Sequence, residues 1–346
     1  MLGEGYYSRH SQPQRAAARA ADARLVAAAG AVPLPRPPTP VLIGDFGCAG
    51  GANEMTPVAA AIDALRARDA DVPVEVAHTD SPENDFAPLF ALLDGPAGYP
   101  AGRRGVYPYV VGRTLYGPLF PDRRLHLGWS AITLHWLSEV PVVVPGQVYA
   151  NLLPDGPARQ ALRRRAAEDW HTFLRERARE LVDHGELVLV AGASKPDGSS
   201  GAEGLFTMIE DELATMVETG SLRRTESDHI FYPTWNRTPA EWRDPVEAAG
   251  FDLLDEELSA TDDAETYGGV GDGDAFADRY LPFVRAITER PFFRWLDADR
   301  AGQDRARVVE TFYDGLRRRI AADPAAAACR WHVVALRLRR CPRRDG

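Results

Sequence analysis

Short apolar runs alternate with amphipathic stretches through the N-terminal part of the chain. Four runs have the length and composition of strands, and they cover residues 41–46, 72–78, 125–131 and 186–192. The stretches between them place apolar residues at helical spacing, at 54–69, 84–93 and about 157–183. Because strands alternate with helices, the pattern predicts an α/β fold with a mainly parallel sheet that is covered by helices.

The C-terminal part of the chain has a different pattern. Between residues 200 and 325 the apolar spacing is mainly helical, and one more strand-like run follows at 331–340. We interpret the helical segment as an insertion ahead of the last strand of the same sheet. The predicted division is a core formed by 1–199 and 325–346, and a helical cap at 200–324 that contributes to substrate binding.

Charge and composition exclude several classes of protein. The 346 residues carry a net charge of −10 at pH 7, which provides no general attraction for nucleic acid. No apolar stretch has the length of a transmembrane helix, and the first residues lack the apolar core of a secretory signal. The three cysteines form no CxxC pair, which is typical of a reducing compartment. We therefore expect a cytoplasmic protein without nucleic-acid or membrane partners.

The stretch VLIGDFGCAGGAN at 41–53 is a candidate ligand site. A strand, an acid and three glycines precede a predicted helix, as in a βα turn that brings a ligand close to a helix N-terminus. Asp45 lies two residues before Gly47, where its charge suits a cationic ligand better than a pyrophosphate. Asp80 ends the second strand, where an acid can hydrogen-bond ribose hydroxyls. The pattern favours S-adenosyl-L-methionine, with another nucleotide ligand or a structural turn as open alternatives.

Longer motifs carry a resemblance to a known family. In chain order they are GEGYYSRHSQPQ (3–14), DFGCAGGAN (45–53), TDSPENDFAPLF (79–90), LYGPLFP (115–121) and LHLGWSAITLHWLSEVP (125–141). Together they resemble the SABATH methyltransferases, and the chain looks like a divergent bacterial member. The resemblance is dense over 1–141 and weaker through 173–190. It implies a Rossmann-like methyltransferase core with a helical cap, a homodimer, and methyl transfer from S-adenosyl-L-methionine to a small molecule, most often at a carboxylate.

Nine positions are predicted to bind the cofactor. By resemblance, Tyr7 and Ser11 fold over it, Asp45 and Asn53 contact its methionine part, Asp80 and Ser81 lie at its ribose, and Thr114 and Leu115 lie near its adenine. Gly47 is the ninth, as the first glycine of the βα turn.

The substrate would lie against a second group of residues. Gln14 and Trp136 resemble the two side chains that hydrogen-bond the substrate carboxylate in the family, and we treat them as the catalytic pair. Both offer uncharged N–H donors, which orient a carboxylate without neutralising it. Trp129, Ile132 and His135 complete the predicted substrate pocket. Ile132 replaces an aromatic residue of the family and Trp129 replaces a histidine, so the pocket differs in shape from the salicylate type.

The predicted function is a carboxyl O-methyltransferase that converts a small, largely apolar or aromatic acid to its methyl ester. A carboxylic acid is already ionised at pH 7, so the reaction needs orientation and desolvation but no general base. Two alternatives stay open: methylation of a nitrogen or phenolic oxygen with His135 as base, and a cofactor-binding homologue without turnover. Asn151 and Asp228 match part of a magnesium site of some family members, but the neighbouring positions do not, so we predict no metal.

Overall fold

The computed structural model describes residues 12–19, 21–296 and 299–342. Within these residues seven strands form one central sheet: β1 (Val41–Phe46), β2 (Val74–Asp80), β3 (Val106–Gly112), β4 (Leu125–Ala131), β5 (Leu181–Gly192), β6 (Phe251–Asp262) and β7 (Arg330–Arg340). Their order across the sheet is β3-β2-β1-β4-β5-β7-β6. Strands β1 to β5 are parallel, and β7 is antiparallel to both of its neighbours. The predicted α/β class with a mainly parallel sheet is confirmed.

Helices lie in most of the connections between strands, but the segment between β3 and β4 contains none. In chain order, those of the described ranges are α1 (Gln12–Arg19), α2 (Asp22–Ala31), α3 (Met55–Arg66), α4 (Ala87–Asp94), α5 (Pro157–Glu180), α6 (Glu203–Glu218), α7 (Arg224–Ser227), α8 (Pro239–Arg243), α9 (Asp263–Thr266), α10 (Gly273–Phe293), α11 (Gly302–Ala322) and α12 (Pro324–Ala327), with a short 3₁₀ helix at Ala150–Leu152. None of them combines the length and the apolar composition needed to cross a bilayer.

The predicted strands at 41–46 and 125–131 coincide with β1 and β4, but the sequence pattern misses β3 and β6. These two strands form the edges of the sheet. Most side chains of β3 are exposed or half-buried, and β6 carries five acidic residues among its twelve. An edge strand tolerates such charge and exposure, so it lacks the continuous apolar run that marks an interior strand.

The strand β6 lies inside the segment 200–324 that the sequence assigns to a helical cap. This segment therefore supplies one edge of the sheet as well as α6, α10 and α11, which pack on one another around an aromatic cluster that includes Phe206, Phe283 and Phe312. The division of the chain into core and cap stays a prediction.

The two faces of the sheet are covered by different helices. Residues of α1, α2 and α3 pack with β1, β2 and β4 in one apolar cluster, while α5 packs on the opposite face. This arrangement brings α1 and α10 to the end of the sheet at which the parallel strands finish. That end carries the candidate site.

Candidate functional site

A cavity of about 550 Å³ lies at the carboxyl ends of β1, β2 and β4. Its walls come from the segments that follow these strands, from α1 and from the C-terminal half of α10. Open α/β sheets bind their ligands at this edge, because the connecting loops leave a crevice where strand order changes direction. The cavity is therefore the first candidate for cofactor binding.

The turn after β1 forms one wall of the cavity. Gly47 has a φ of +89°, which L side chains rarely adopt, and a Cβ atom there would lie 2.1 Å from Thr133 Oγ1. The Gly47 and Cys48 amides both donate to the Thr79 carbonyl, at 2.8 and 3.1 Å. Glycine is required here because the backbone must turn tightly between the end of β2 and the segment after β4.

Asp80 ends β2 and lines the cavity. Its carboxylate accepts backbone N–H bonds from Ala49 and Ser81, both at 2.7 Å. Burial raises the pKa of Asp80, and the two backbone donors partly oppose this rise. A carboxylate has about four acceptor positions, so the fixed group keeps capacity for further donors such as hydroxyls.

Asp45 lies behind the glycine turn and is not on the cavity wall. Its Oδ2 is 2.7 Å from Nδ1 of His78, and Nε2 of His78 is 2.9 Å from the Tyr99 hydroxyl. Burial lowers the pKa of His78 to about 4, so the imidazole is neutral at pH 7. Burial, with the charge of Asp80 as second cause, raises the pKa of Asp45 well above its usual value. A direct contact between Asp45 and the cofactor stays a prediction.

Glu54 is an acid of this site that the sequence pattern does not single out. It is 5% exposed, lines the cavity, and accepts a hydrogen bond from the Trp129 indole. Burial raises the pKa of Glu54 well above its usual value, and the nearby Asp45 raises it further. In sequence Glu54 looks like an ordinary acid before a helix, and no spacing signal marks it as buried.

Four of the other predicted cofactor positions lie on the cavity, and two cannot be placed. Asn53, Ser81, Thr114 and Leu115 line the same cavity as Gly47 and Asp80. Tyr7 and Ser11 lie outside the described residues.

Gln14 and Trp136 lie on the same cavity, on α1 and on the segment after β4. The Gln14 Oε1 atom is buried, and none of the residues that the structure describes forms a hydrogen bond with it. A half-turn of the amide exchanges its oxygen and nitrogen, so the side chain can also present an N–H here. Trp136 packs edge-on against Tyr232 with ring centroids 5.0 Å apart, and no described residue accepts a hydrogen bond from its indole. Both predicted donors are therefore available to a ligand.

A smaller cavity of about 60 Å³ adjoins the first and shares Gln14, Ile132 and Ile287 with it. Ile132 has a φ of +56°, which is rare for a β-branched residue, and its amide donates to the Val190 carbonyl at 2.7 Å. Strained backbone of this kind occurs where the surrounding structure fixes a functional side chain. Ile132 lies between the two cavities, and its assignment to the substrate pocket stays a prediction.

His135 lines the smaller cavity and is buried. Its Nδ1 accepts the Gly192 backbone N–H at 3.2 Å, so the hydrogen of the neutral ring is on Nε2. Burial, followed by the charge of Arg237, lowers the pKa of His135 to about 3. The ring can donate a hydrogen bond, but it is a poor proton acceptor near pH 7.

The structure places Trp129 outside the predicted substrate pocket. The side chain is fully buried in the apolar cluster beneath the sheet and lines neither cavity. Trp129 is the fifth residue of β4, and strand alternation directs it towards the helices of that face. Its role is to hold Glu54 through the indole N–H.

The described ranges contain no candidate metal site. No group of three or more His, Cys, Asp or Glu side chains there could hold an ion. Asn151, which matches part of a magnesium site by resemblance, donates instead to the Gly198 carbonyl at 2.9 Å.

Comparisons with known proteins concern the sequence and the fold of the chain. Residues 2–298 match the family model described as SAM dependent carboxyl methyltransferase. The methyltransferase LUC1 of Fusarium sp is 30% identical over 247 residues, which are 69% of this chain and 64% of that protein. The chain thus matches less than two thirds of the length of this fungal relative. Gibberellic acid methyltransferase 2 of Arabidopsis thaliana is 28% identical over 279 residues, 70% of this chain and 69% of that protein.

One solved structure supports the fold over the whole chain. A loganic acid methyltransferase with SAH superposes with a TM-score of 0.81 and covers 100% of this chain and 99% of its own. Its sequence is 19% identical, so the similarity concerns the fold.

Proposed function

Because the chain belongs to the family of S-adenosylmethionine-dependent carboxyl methyltransferases, we propose that it methylates the carboxylate of a small, largely apolar or aromatic acid. The products are the methyl ester and S-adenosyl-L-homocysteine. One observation carries the proposal: an acidic turn and two uncharged hydrogen-bonding side chains, Gln14 and Trp136, line the same cavity. The turn suits a cationic ligand, and the pair suits a carboxylate.

The residues of the cavity fit S-adenosyl-L-methionine in their chemistry. Glu54 and Asp80 line the wall near the glycine turn, and Asp45 lies behind it. Burial raises the pKa of all three acids, and a positively charged methionine part favours their ionised forms, so this wall suits a cationic ligand. When bound, the cofactor supplies an electrophilic methyl group. The proposed contacts are Tyr7 and Ser11 over the cofactor, Asp45, Gly47 and Asn53 at its methionine part, Asp80 and Ser81 at its ribose, and Thr114 and Leu115 at its adenine.

Gln14 and Trp136 act on the substrate by position. A carboxylate needs no base at pH 7, so the chain has to fix one of its oxygens and exclude water from it. Two neutral N–H donors achieve this while the carboxylate keeps its charge. Orientation of this kind lowers a barrier by roughly 7–11 kcal/mol. Ile132 and Ile287 supply the apolar wall beside Gln14.

Methylation of a nitrogen or phenol is the second candidate, and the site offers less for it. Such a nucleophile needs a proton acceptor, and His135 uses Nδ1 to accept the Gly192 amide. We therefore propose that the rate is flat with pH above the pKa of the acid. A rate that rises through neutral pH with one ionisation would favour the second candidate.

We also propose, from the family resemblance, that the protein is a cytoplasmic homodimer with a core at 1–199 and 325–346 and a cap at 200–324. Sedimentation of the purified chain tests the dimer, and a species of 37.9 kDa at all concentrations would contradict it.

The decisive experiment follows a labelled methyl group from S-adenosyl-L-methionine to a panel of small acids. Each acid is paired with its amide and its alcohol. Wild type is compared with Trp136→Phe, which keeps a ring against Tyr232 but lacks the N–H, and with Trp136→Ala. Loss of one hydrogen bond to a charged group, about 1.5–3 kcal/mol, predicts a fall of at least tenfold in kcat/KM for Trp136→Phe.

The outcomes separate the candidate functions. Label in a base-labile ester, reduced in both variants, supports carboxyl methylation. Label only in nitrogen or hydroxyl compounds would favour the second candidate. Cofactor binding without transfer to any compound would indicate a silent homologue.

A further inference from the structure

The smaller cavity contains a buried hydroxyl that no described residue satisfies. Thr234 lines this cavity and is 1% exposed, and its Oγ1 has no hydrogen-bond partner in the described ranges. Two neighbouring buried hydroxyls are paired: Ser194 Oγ donates to the Asn236 carbonyl at 2.7 Å, and the Tyr149 hydroxyl donates to Ser200 Oγ at 2.8 Å. Leaving a buried hydroxyl unpaired destabilises a fold, so the place of Thr234 on a cavity wall favours a ligand partner.

The backbone fixes Thr234 beside the proposed carboxylate-binding residue. Thr234 and Trp136 face each other in an isolated antiparallel bridge. The Leu137 amide donates to the Pro233 carbonyl at 2.8 Å, and the Trp235 amide donates to the His135 carbonyl at 2.9 Å. One hydrogen bond on each side of the bridge thus holds the backbone of Thr234 at a set position relative to Trp136.

His135 offers a second polar group to the same cavity. Its Nδ1 is occupied by the Gly192 amide, so Nε2 carries the hydrogen, and no described residue accepts a bond from it. The cavity therefore presents one N–H donor and one hydroxyl that can donate or accept. A hydroxyl group on a ligand satisfies both, because it accepts from His135 and donates to Thr234.

The rest of the lining limits the size and polarity of the ligand. Tyr232, Phe283 and Trp331 contribute aromatic surface. The cavity volume is about 60 Å³, and one water molecule needs about 10–15 Å³. The cavity therefore has room for roughly four to six groups of the size of a water molecule. This is the scale of a single ring or a short branched chain.

We infer that the acid carries a hydroxyl group remote from its carboxylate, on a body of about one ring, and that Thr234 is the residue that selects it. The inference rests on the proposed carboxyl methylation for the orientation of the acid, with the carboxylate at Gln14 and Trp136. The carboxylate then lies in the larger cavity, and the hydroxyl lies in the smaller one.

Binding provides a test that does not depend on turnover. Titration calorimetry in the presence of S-adenosyl-L-homocysteine compares 3- and 4-hydroxybenzoate and 3- and 4-hydroxyphenylacetate with benzoate and phenylacetate. The control is 2-hydroxybenzoate, whose hydroxyl lies beside its carboxylate. Thr234→Val removes the hydroxyl and keeps the shape, and Thr234→Ser keeps the hydroxyl. We expect wild type and Thr234→Ser to bind at least one hydroxy acid about tenfold more tightly than its parent acid. We expect Thr234→Val to lose this preference.

Three outcomes decide the matter. The inference is overturned if wild type prefers none of the hydroxy acids, or if its preference persists in Thr234→Val. If a variant fails to fold, the absence of a preference in wild type still overturns it. A preference lost in Thr234→Val and kept in Thr234→Ser supports it. If the preferred acid binds but receives no labelled methyl group, the proposed function fails while the selection by Thr234 stands.

Discussion

Replacement of Gly47 by alanine tests whether the turn after β1 depends on a close backbone approach. Two separate costs arise at this position. A side chain at a φ of +89° costs about 1–2 kcal/mol. The new Cβ would also lie 2.1 Å from Thr133 Oγ1 and 2.4 Å from Thr133 Cγ2, and overpacking of this kind costs about 1–3 kcal/mol. We expect Gly47→Ala to lower the free energy of unfolding by about 2–5 kcal/mol.

Gly146→Ala is the matched control for the first of these costs. Gly146 has a similar φ of +73°, but no atom lies within 4 Å of the position of its Cβ. This variant should lose about 1–2 kcal/mol only. Urea unfolding followed by tryptophan fluorescence measures both variants under the same conditions, and the difference between them isolates the contact with Thr133.

Thr133→Ala provides the second arm of the test. It removes Oγ1 and Cγ2 but leaves Thr133 Cβ, 2.7 Å from the new atom. The free energy of unfolding that the double variant loses should therefore be smaller than the sum of the two single losses, by about 1 kcal/mol or more. Equal losses for Gly47→Ala and Gly146→Ala, or additive effects in the double variant, would refute the reasoning. The turn would then adapt without strain, and its glycine would not be required by packing.

Two further predictions concern charge. Asp80→Asn should weaken S-adenosyl-L-homocysteine binding by about tenfold to a hundredfold in calorimetry, because it removes a charged acceptor worth about 1.5–3 kcal/mol. Asp85 lies nearby but does not line the cavity, so Asp85→Asn should change the affinity little. Equal losses of affinity in the two variants would contradict the prediction. The histidine contribution to stability should fall as the pH drops from about 6.5 towards 4, since burial lowers the folded-state pKa of His78 and of His126 to about 4, and of His135 to about 3, and the unfolded chain then binds more protons. The buried acids act in the opposite direction, because burial raises the folded-state pKa of Asp263 to about 7 and those of Asp45 and Glu54 well above their usual values. The contribution of His126 is therefore measured as the difference in unfolding free energy between wild type and His126→Asn. A difference that stays constant between pH 7.5 and pH 5 would count against this account.

The fold was largely predictable where strands are interior. Strands β1 and β4 are buried along almost their whole length, so each forms a continuous apolar run with clear ends. The edge strand β6 has no such run, because only part of its surface is covered and its acids face solvent or arginines such as Arg243. Local sequence therefore does not distinguish β6 from a polar loop.

The candidate site was predictable only in part. Gly47 and Asp80 carry a signal in sequence, because a tight βα turn and a strand-terminal acid each need a particular residue type. The sequence signal at Trp129 is misleading. Other residues of its motif line the cavity, but strand alternation directs the Trp129 side chain into the core. Glu54 carries no sequence signal, because its burial depends on Trp129, which is 75 residues away along the chain.

By itself the sequence determined the order of interior strands and helices, the glycine turn and the residue types that suit a cationic cofactor and a carboxylate. These features depend on neighbours in the chain, through periodicity, backbone conformation and motif spacing. Only the tertiary structure decided which side chains share a cavity and which polar atoms are left without partners. The smaller cavity joins Gln14, Ile132, Thr234 and Trp331, which are far apart in the chain. Their proximity results from the packing of α1 and the cap helices against the sheet, which no local pattern encodes.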